Sequence, residues 1–236
     1  MKILGLIFRG IRHSEVITSE PGHCKFILTV NADFVVRARE GDERLLRLIN
    51  QYTSTFDGFW PWLIARLRYP NTSCDKISGS DLIFDFAERC CSAGRLLLIV
   101  GGSAHEAAMT LDRRAGSHIA IGWNAPFEAY PMSAAYIQTL RDQIEIHRPM
   151  VIAVCLGSPK QEFLIEDQLD FMSEHQVVFA YGAGGTADML AGKYKRAPVI
   201  IQRIGLEGLW RLIMEPSKSR FKRLLSSLKI FRYIFD

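Results

Sequence analysis

Apolar residues recur along this chain in two spacings. Lys25-Phe-Ile-Leu-Thr-Val30, Arg95-Leu-Leu-Leu-Ile-Val100, Met150-Val-Ile-Ala-Val-Cys-Leu156 and Gln176-Val-Val-Phe-Ala-Tyr181 are short, nearly unbroken apolar runs. Their length and β-branched content predict strands buried on both faces. Ile119-Ala-Ile-Gly122 predicts a shorter one. Between the runs, apolar positions fall three and four apart: Phe34, Val35 and Ala38 continuing to Leu45, Leu46 and Ile49, then Leu82, Ile83, Phe86 and Ala87 within 79–91, and again over 133–147. That spacing predicts helices. Strands alternating with helices over about 160 residues imply an α/β fold, a mostly parallel Rossmann-like sheet flanked by helices.

Open parallel sheets bind ligands outside the carboxyl ends of their strands, so the turns there are the first places to look for chemistry. Thr29 and Asn31 close the first run, and Asn31 is equally well placed as a helix N-cap. Gly101-Gly102 follows the second run and lets backbone N–H groups approach a phosphate or ribose, although the full G-x-G-x-x-G spacing is absent. Gly157-Ser-Pro-Lys-Gln-Glu162 reads as a capping box with proline at the first helical position, and it places Lys160 and Gln161 at a helix N-terminus. Gly182-Ala-Gly-Gly-Thr186 is the fourth such turn. A different signal is Thr53-Ser-Thr-Phe-Asp-Gly-Phe-Trp-Pro-Trp62, where Asp57 interrupts an aromatic run. Desolvation by those rings would raise its pKa and make it a better proton acceptor, while Asp-Gly is also a common turn dipeptide.

Beyond Pro198 the pattern becomes helical throughout. Gln202 to Met214 is one amphipathic segment, and after Pro216 the residues Phe221, Leu224, Leu225, Leu228, Phe231 and Phe235 keep helical spacing with six Lys or Arg among them. This divides the chain into an α/β domain, 1–198, and a helical appendage, 199–236. The charge divides the same way. From Lys193 onward there are eleven Lys or Arg against three acids, leaving 18 of the 29 bases and 22 of the 25 acids to the first 192 residues. A basic amphipathic tail suits an anionic membrane surface; the plainer alternative is a terminal helix docked on the domain or on another subunit. With 236 residues, 48% of them hydrophobic, one such domain can bury a sizeable core. No apolar run reaches the roughly 20 residues needed to span a bilayer, and the start lacks a cleavage site, which argues against a signal peptide. Five cysteines without a C-x-x-C pair and six scattered histidines suggest neither disulfides nor a metal site, and point to the cytosol.

Taken in order, Thr29-Val-Asn-Ala-Asp33, Asp57-Gly58, Gly79-Ser-Asp81, Gly101-Gly102, Gly157-Ser-Pro-Lys-Gln-Glu162, Gly182-Ala-Gly-Gly185, Arg196-Ala-Pro198 and Gln202-Arg-Ile-Gly-Leu-Glu207 resemble the WecG/TagA/CpsF family of bacterial glycosyltransferases. The resemblance covers about residues 25 to 216. It implies an inverting transfer, without metal or other cofactor, from a UDP-sugar of the N-acetylmannosamine, uronic acid or glucose type. The acceptor it implies is a polyprenyl-diphosphate-linked sugar, at the cytoplasmic face of the inner membrane, in surface polysaccharide synthesis. Asp57 matches the family's proposed base. Thr29, Asn31 and Gln161 match the donor-sugar pocket, and the Gly101-Gly102 and Gly184-Gly185 turns would pack against nucleotide or sugar. Without a metal, the leaving diphosphate needs cations, for which Arg203, Arg211 and Arg220 are candidates. Val30 and Phe56 stand where proline is usual in the family, and the segment before Lys25 is shorter than its norm. Two other function classes compete: a nucleotide-dependent Rossmann-type oxidoreductase and a non-catalytic membrane-surface adaptor. Nucleic acid is disfavoured because the basic charge is confined to the tail. The oligomeric state stays open, a homo-oligomer among the options.

Overall fold

The computed structural model describes residues 1–198, 200–201, 205–214 and 216–234, without the side chains of Arg211 and Ser219. Two compact units are built from interleaved segments. The first comprises Met1–Thr18, Leu28–Ser78 and the chain from Tyr194 onward; the second comprises Ser19–Ile27 and Gly79–Lys193.

The first unit opens with a small antiparallel pair, β1 (Lys2–Ile3) and β2 (Leu6–Ile7), and a short helix α1 (His13–Ile17). Strand β3 (Lys25–Val30) carries the chain into α2 (Ala32–Arg39). The single helix expected from Phe34 to Ile49 is two helices. At Gly41 the backbone turns with φ of 120°, which a side chain would resist, and Asp42 starts α3 (Glu43–Gln51) by accepting the Leu45 N–H at 3.0 Å. Strand β4 (Thr53–Phe56) and helix α4 (Phe59–Arg68) follow, with Asp57 and Gly58 between them.

In the second unit the apolar runs behave as read. Helix α5 (Gly79–Ala93) leads to β5 (Leu97–Val100), α6 (Ala104–Ala115), β6 (Ala120–Trp123), α7 (Ala134–His147), β7 (Val151–Val154), α8 (Lys160–Asp167), α9 (Leu169–Glu174), β8 (Phe179–Gly182) and α10 (Thr186–Leu190). Every residue of β5, β7 and β8 is buried, as strands covered on both faces must be. Phe86 on α5 packs its ring 4.8 Å from Phe179 and 5.4 Å from Tyr181. The six-stranded sheet has the order β4-β3-β8-β7-β5-β6, and the pairings β3 with β8, β8 with β7, β7 with β5 and β5 with β6 are parallel. The fold is therefore α/β and Rossmann-like.

After Lys193 the chain belongs to the first unit again. It forms α11 (Glu207–Met214), α12 (Lys218–Ser227) and a 3₁₀ helix over Leu228–Tyr233. Trp210 donates its indole N–H to the Lys195 carbonyl at 3.1 Å. The 3₁₀ helix is held against α2 and α4. Ile230 is fully buried, Lys229 pairs with Glu40 at 2.8 Å, the Arg39 guanidinium lies 5.2 Å from the centre of the Tyr233 ring, and Arg68 donates to the Ile234 carbonyl at 2.7 Å.

Candidate active site

Asp57 sits in the first unit at the carboxyl end of β4. The strand reaches it on two buried hydroxyls: Ser54 donates to the Ile49 carbonyl at 3.0 Å and Thr55 to the Ile77 carbonyl at 3.0 Å. Polar side chains can be buried there because their hydrogen bonds are made. The Asp57 N–H then donates to the Val30 carbonyl at 3.0 Å, which sets the acid beside the end of β3. Thr29, buried, and Asn31, half-buried, occupy that end. Three of the predicted residues are thereby brought together. Asp57 is itself half-buried, neither sealed in the core nor fully solvated. Asn31 also fills the structural role foreseen for it, accepting the Phe34 N–H at 3.2 Å as the N-cap of α2.

Gly58 follows with φ of 84° and nothing within 4 Å of where a Cβ would stand, so its backbone conformation, not space, accounts for the glycine. The aromatic residues after it belong to the first turn of α4. Phe59 lies 5.2 Å from Trp60 and 6.1 Å from Trp62, and Trp62 donates its indole N–H to the Cys74 carbonyl at 3.1 Å. Trp60 meets Phe231 of the 3₁₀ helix edge to face, ring centres 5.0 Å apart.

The second unit gathers the remaining predicted residues. Just past each strand the ladder continues by one bond: Gly101 N–H to the Trp123 carbonyl, Cys155 N–H to the Val100 carbonyl and Ala183 N–H to the Val154 carbonyl. The turns Gly101-Gly102, Cys155 to Gly157 and Ala183 to Gly185 consequently leave the same edge in register. Gln161 ties two of them together. Its Oε1 accepts the Gly157 N–H at 3.0 Å and the Gly184 N–H at 3.2 Å, its Nε2 donates to Glu162 Oε1 at 2.6 Å, and the residue is 3% exposed. This corrects the expected capping box. Pro159, not Ser158, is the N-cap, and it has no N–H for a returning glutamine to accept, so the amide reaches Gly157 instead. Gly182 gives this amide its room: a Cβ there would force the side chains of Gln161 and Glu162 to shift.

Two features of this edge were not foreseen. Asp188, on α10, accepts from the Ser103 N–H at 3.1 Å and the Ser103 hydroxyl at 2.8 Å, and pairs with Lys193 at 3.2 Å. It lies 3.4 Å from a Cβ built on Gly102 and supplies the N-terminus of α6 with an anion. Burial pushes its carboxyl up, but the Ser103 and Lys193 hydrogen bonds outweigh that and hold it below the usual aspartate value. The second is the pair Phe127 and Lys160. The ammonium stands 4.1 Å from the centre of the ring and donates to the Glu128 carbonyl at 3.0 Å, while Phe127 as a residue is 92% exposed. Burial pulls the Lys160 pKa down. The partners are distant in sequence, 85 positions for Asp188 and Ser103, and no motif in this chain links them.

Of the arginines considered, Arg203 lies outside the described residues, and for Arg211 only the backbone position in α11 is described. Arg220 is half-buried in α12, its N–H donating to the Ser217 hydroxyl at 3.2 Å. Among the described residues no group of three His, Cys, Asp or Glu side chains could hold a metal ion. No described helix is long and apolar enough to cross a membrane. Against known protein families, residues 1–235 match the model described as the glycosyl transferase WecG/TagA/CpsF family.

Proposed function

The chain belongs to the WecG/TagA/CpsF family of glycosyl transferases, and from that premise we propose an inverting transfer of a sugar from a UDP-sugar to a lipid-linked acceptor. The donor sugar is of the N-acetylmannosamine, uronic acid or glucose type, and the acceptor is a polyprenyl-diphosphate-linked sugar in surface polysaccharide synthesis. Family membership sets aside the oxidoreductase and the non-catalytic adaptor.

Placement of Asp57 carries the reading. A half-buried carboxylate at a strand's carboxyl end, next to Thr29 and Asn31, suits a single base that takes the proton of the acceptor hydroxyl as its oxygen attacks the anomeric carbon. The bond from that carbon to the diphosphate oxygen breaks on the opposite face, and UDP leaves with the electron pair. Thr29, Asn31 and Gln161 are assigned to the donor sugar. The Gly101-Gly102 and Gly184-Gly185 turns are assigned to the nucleotide. With an anion already at the N-terminus of α6, the first of these turns suits ribose hydroxyls, which Asp188 can accept, better than phosphate. The charge of the leaving diphosphate falls to Arg203, Arg211 and Arg220.

The reaction is placed at the cytoplasmic face of the inner membrane, with the protein held there peripherally by its C-terminal helices. Support comes from Leu209 and Ile213 on α11, and from Phe221, Leu225 and Leu228, spaced four and three apart, all of which stand exposed; Lys218, Lys222 and Arg223 are exposed among the latter.

The deciding assay screens labelled UDP-sugars against a short-chain lipid-diphosphate acceptor, with wild type and Asp57→Asn side by side. Loss of a general base lowers the rate by about a hundredfold or more, and UDP binding should be retained. Full transfer by Asp57→Asn removes this residue from the mechanism.

A further inference from the structure

We propose that Phe231, in the 3₁₀ helix, is a positioning residue for Asp57, acting through Trp60; this rests on reading Asp57 as the base. On its strand side Asp57 is fixed by the bond from its N–H to the Val30 carbonyl. On its other side the chain passes through Gly58, a residue with no side chain to anchor it, straight into the first turn of α4. What holds that turn therefore bears on where the carboxylate stands.

Two points of the C-terminal segment press on it. Gly205 approaches Phe59 so closely that a Cβ would collide with the ring, and Phe231 packs edge to face on Trp60 at 5.0 Å. The segment has its own anchors, so the pressure has a firm backing: buried Ile230, the Lys229–Glu40 pair, Tyr233 under Arg39, and the Arg68 bond to the Ile234 carbonyl. Arg39 and Glu40 stand at the C-terminal end of α2, whose N-cap is Asn31, and Arg68 ends α4, which starts directly after Asp57-Gly58. One short 3₁₀ helix therefore braces both elements that carry the acid and its neighbour. Phe231 is 42% exposed, far more than core packing alone would leave it, so its removal leaves the core of the unit intact.

The test is steady-state kinetics on the full chain with Phe231→Leu, which keeps apolar bulk without the ring, and Phe231→Tyr, which keeps the ring. Small displacements of a reacting group are costly, so Phe231→Leu should lower kcat about tenfold. KM for the donor, UDP affinity, liposome binding and melting temperature should stay at wild-type values, and Phe231→Tyr should restore kcat. Trp60→Leu should give a similar loss, and the double variant little more, because both act through one contact. Wild-type kcat in Phe231→Leu overturns the proposal, as does a fall in kcat that only tracks a fall in melting temperature. Asp57→Asn in the same assay separates the two ideas. If it keeps full activity, the base assignment fails. If it is inactive while Phe231→Leu is unaffected, only the brace fails.

Discussion

A single buried amide, that of Gln161, spans the turns after β7 and β8, and it shows how much of a site can hang on one side chain. Replacing it by leucine removes the acceptor of two backbone N–H groups and the donor to Glu162. Unfolding in urea should show a loss of about 1–3 kcal/mol, the usual cost of leaving such groups unpaired. Asp188 makes a pH-dependent contribution. Its pKa is lowered by folding, so the stability it adds is complete above the ordinary value of 3.8 and is lost as the pH falls through the lower folded value. The gap in urea midpoint between wild type and Asp188→Asn should therefore be full near neutrality and close below that pH. The cysteines give a third test. Burial raises Cys24, Cys90 and Cys155 to about 12 and also raises Cys74, whereas Cys91 is exposed. A thiol reagent at about pH 8 should label one site in the native protein and all five after denaturation. At this scale the sequence was legible where a residue acts on its near neighbours, as Asn31 does on Phe34. It was silent where partners meet across the fold, as Ser103 and Asp188 do, because no local spacing encodes that encounter.

Among the elements, the parallel strands were legible because burial on both faces leaves no polar interruption. β4 was not. Its Ser54 and Thr55 are buried, but they satisfy themselves on backbone carbonyls, so a polar sequence hides an inward-facing strand. The break between α2 and α3 was likewise masked, since the apolar spacing carries on across Gly41 while the backbone does not. The packing of β6 on α6 offers a prediction of its own. A methyl on Gly122 would strike the backbone of Ala104 and His105, which cannot swing aside as a side chain would. Gly122→Ala should cost about 1–3 kcal/mol or more, read as a drop in melting temperature.

For the molecule as a whole, the division of charge was readable from the sequence, but the destination of the tail was not. The basic segment reads as a helical appendage, with docking on the domain as the plainer alternative; its final residues pack on α2 and α4 within the first unit. This bears on how membrane association is tested. Deleting everything from Ser217 would remove both the exposed apolar stripe and the residues that brace α4, and so could not tell binding from activity. Phe221→Ser, Leu225→Ser and Leu228→Ser together remove only exposed apolar groups. They should weaken sedimentation with anionic vesicles about tenfold or more without lowering the melting temperature. Wild-type sedimentation would count against the stripe as the contact.

The interleaving of the two units also bears on synthesis. Residues Leu28–Ser78, with Asp57 among them, leave the ribosome well ahead of the segment from Tyr194 onward that completes their unit. During translation the Gly79–Lys193 portion can gather first, while the half that holds the acid waits for the braces on α2 and α4. A stalled or truncated product lacking the segment from Tyr194 onward would leave the first unit, with Asp57 in it, incomplete.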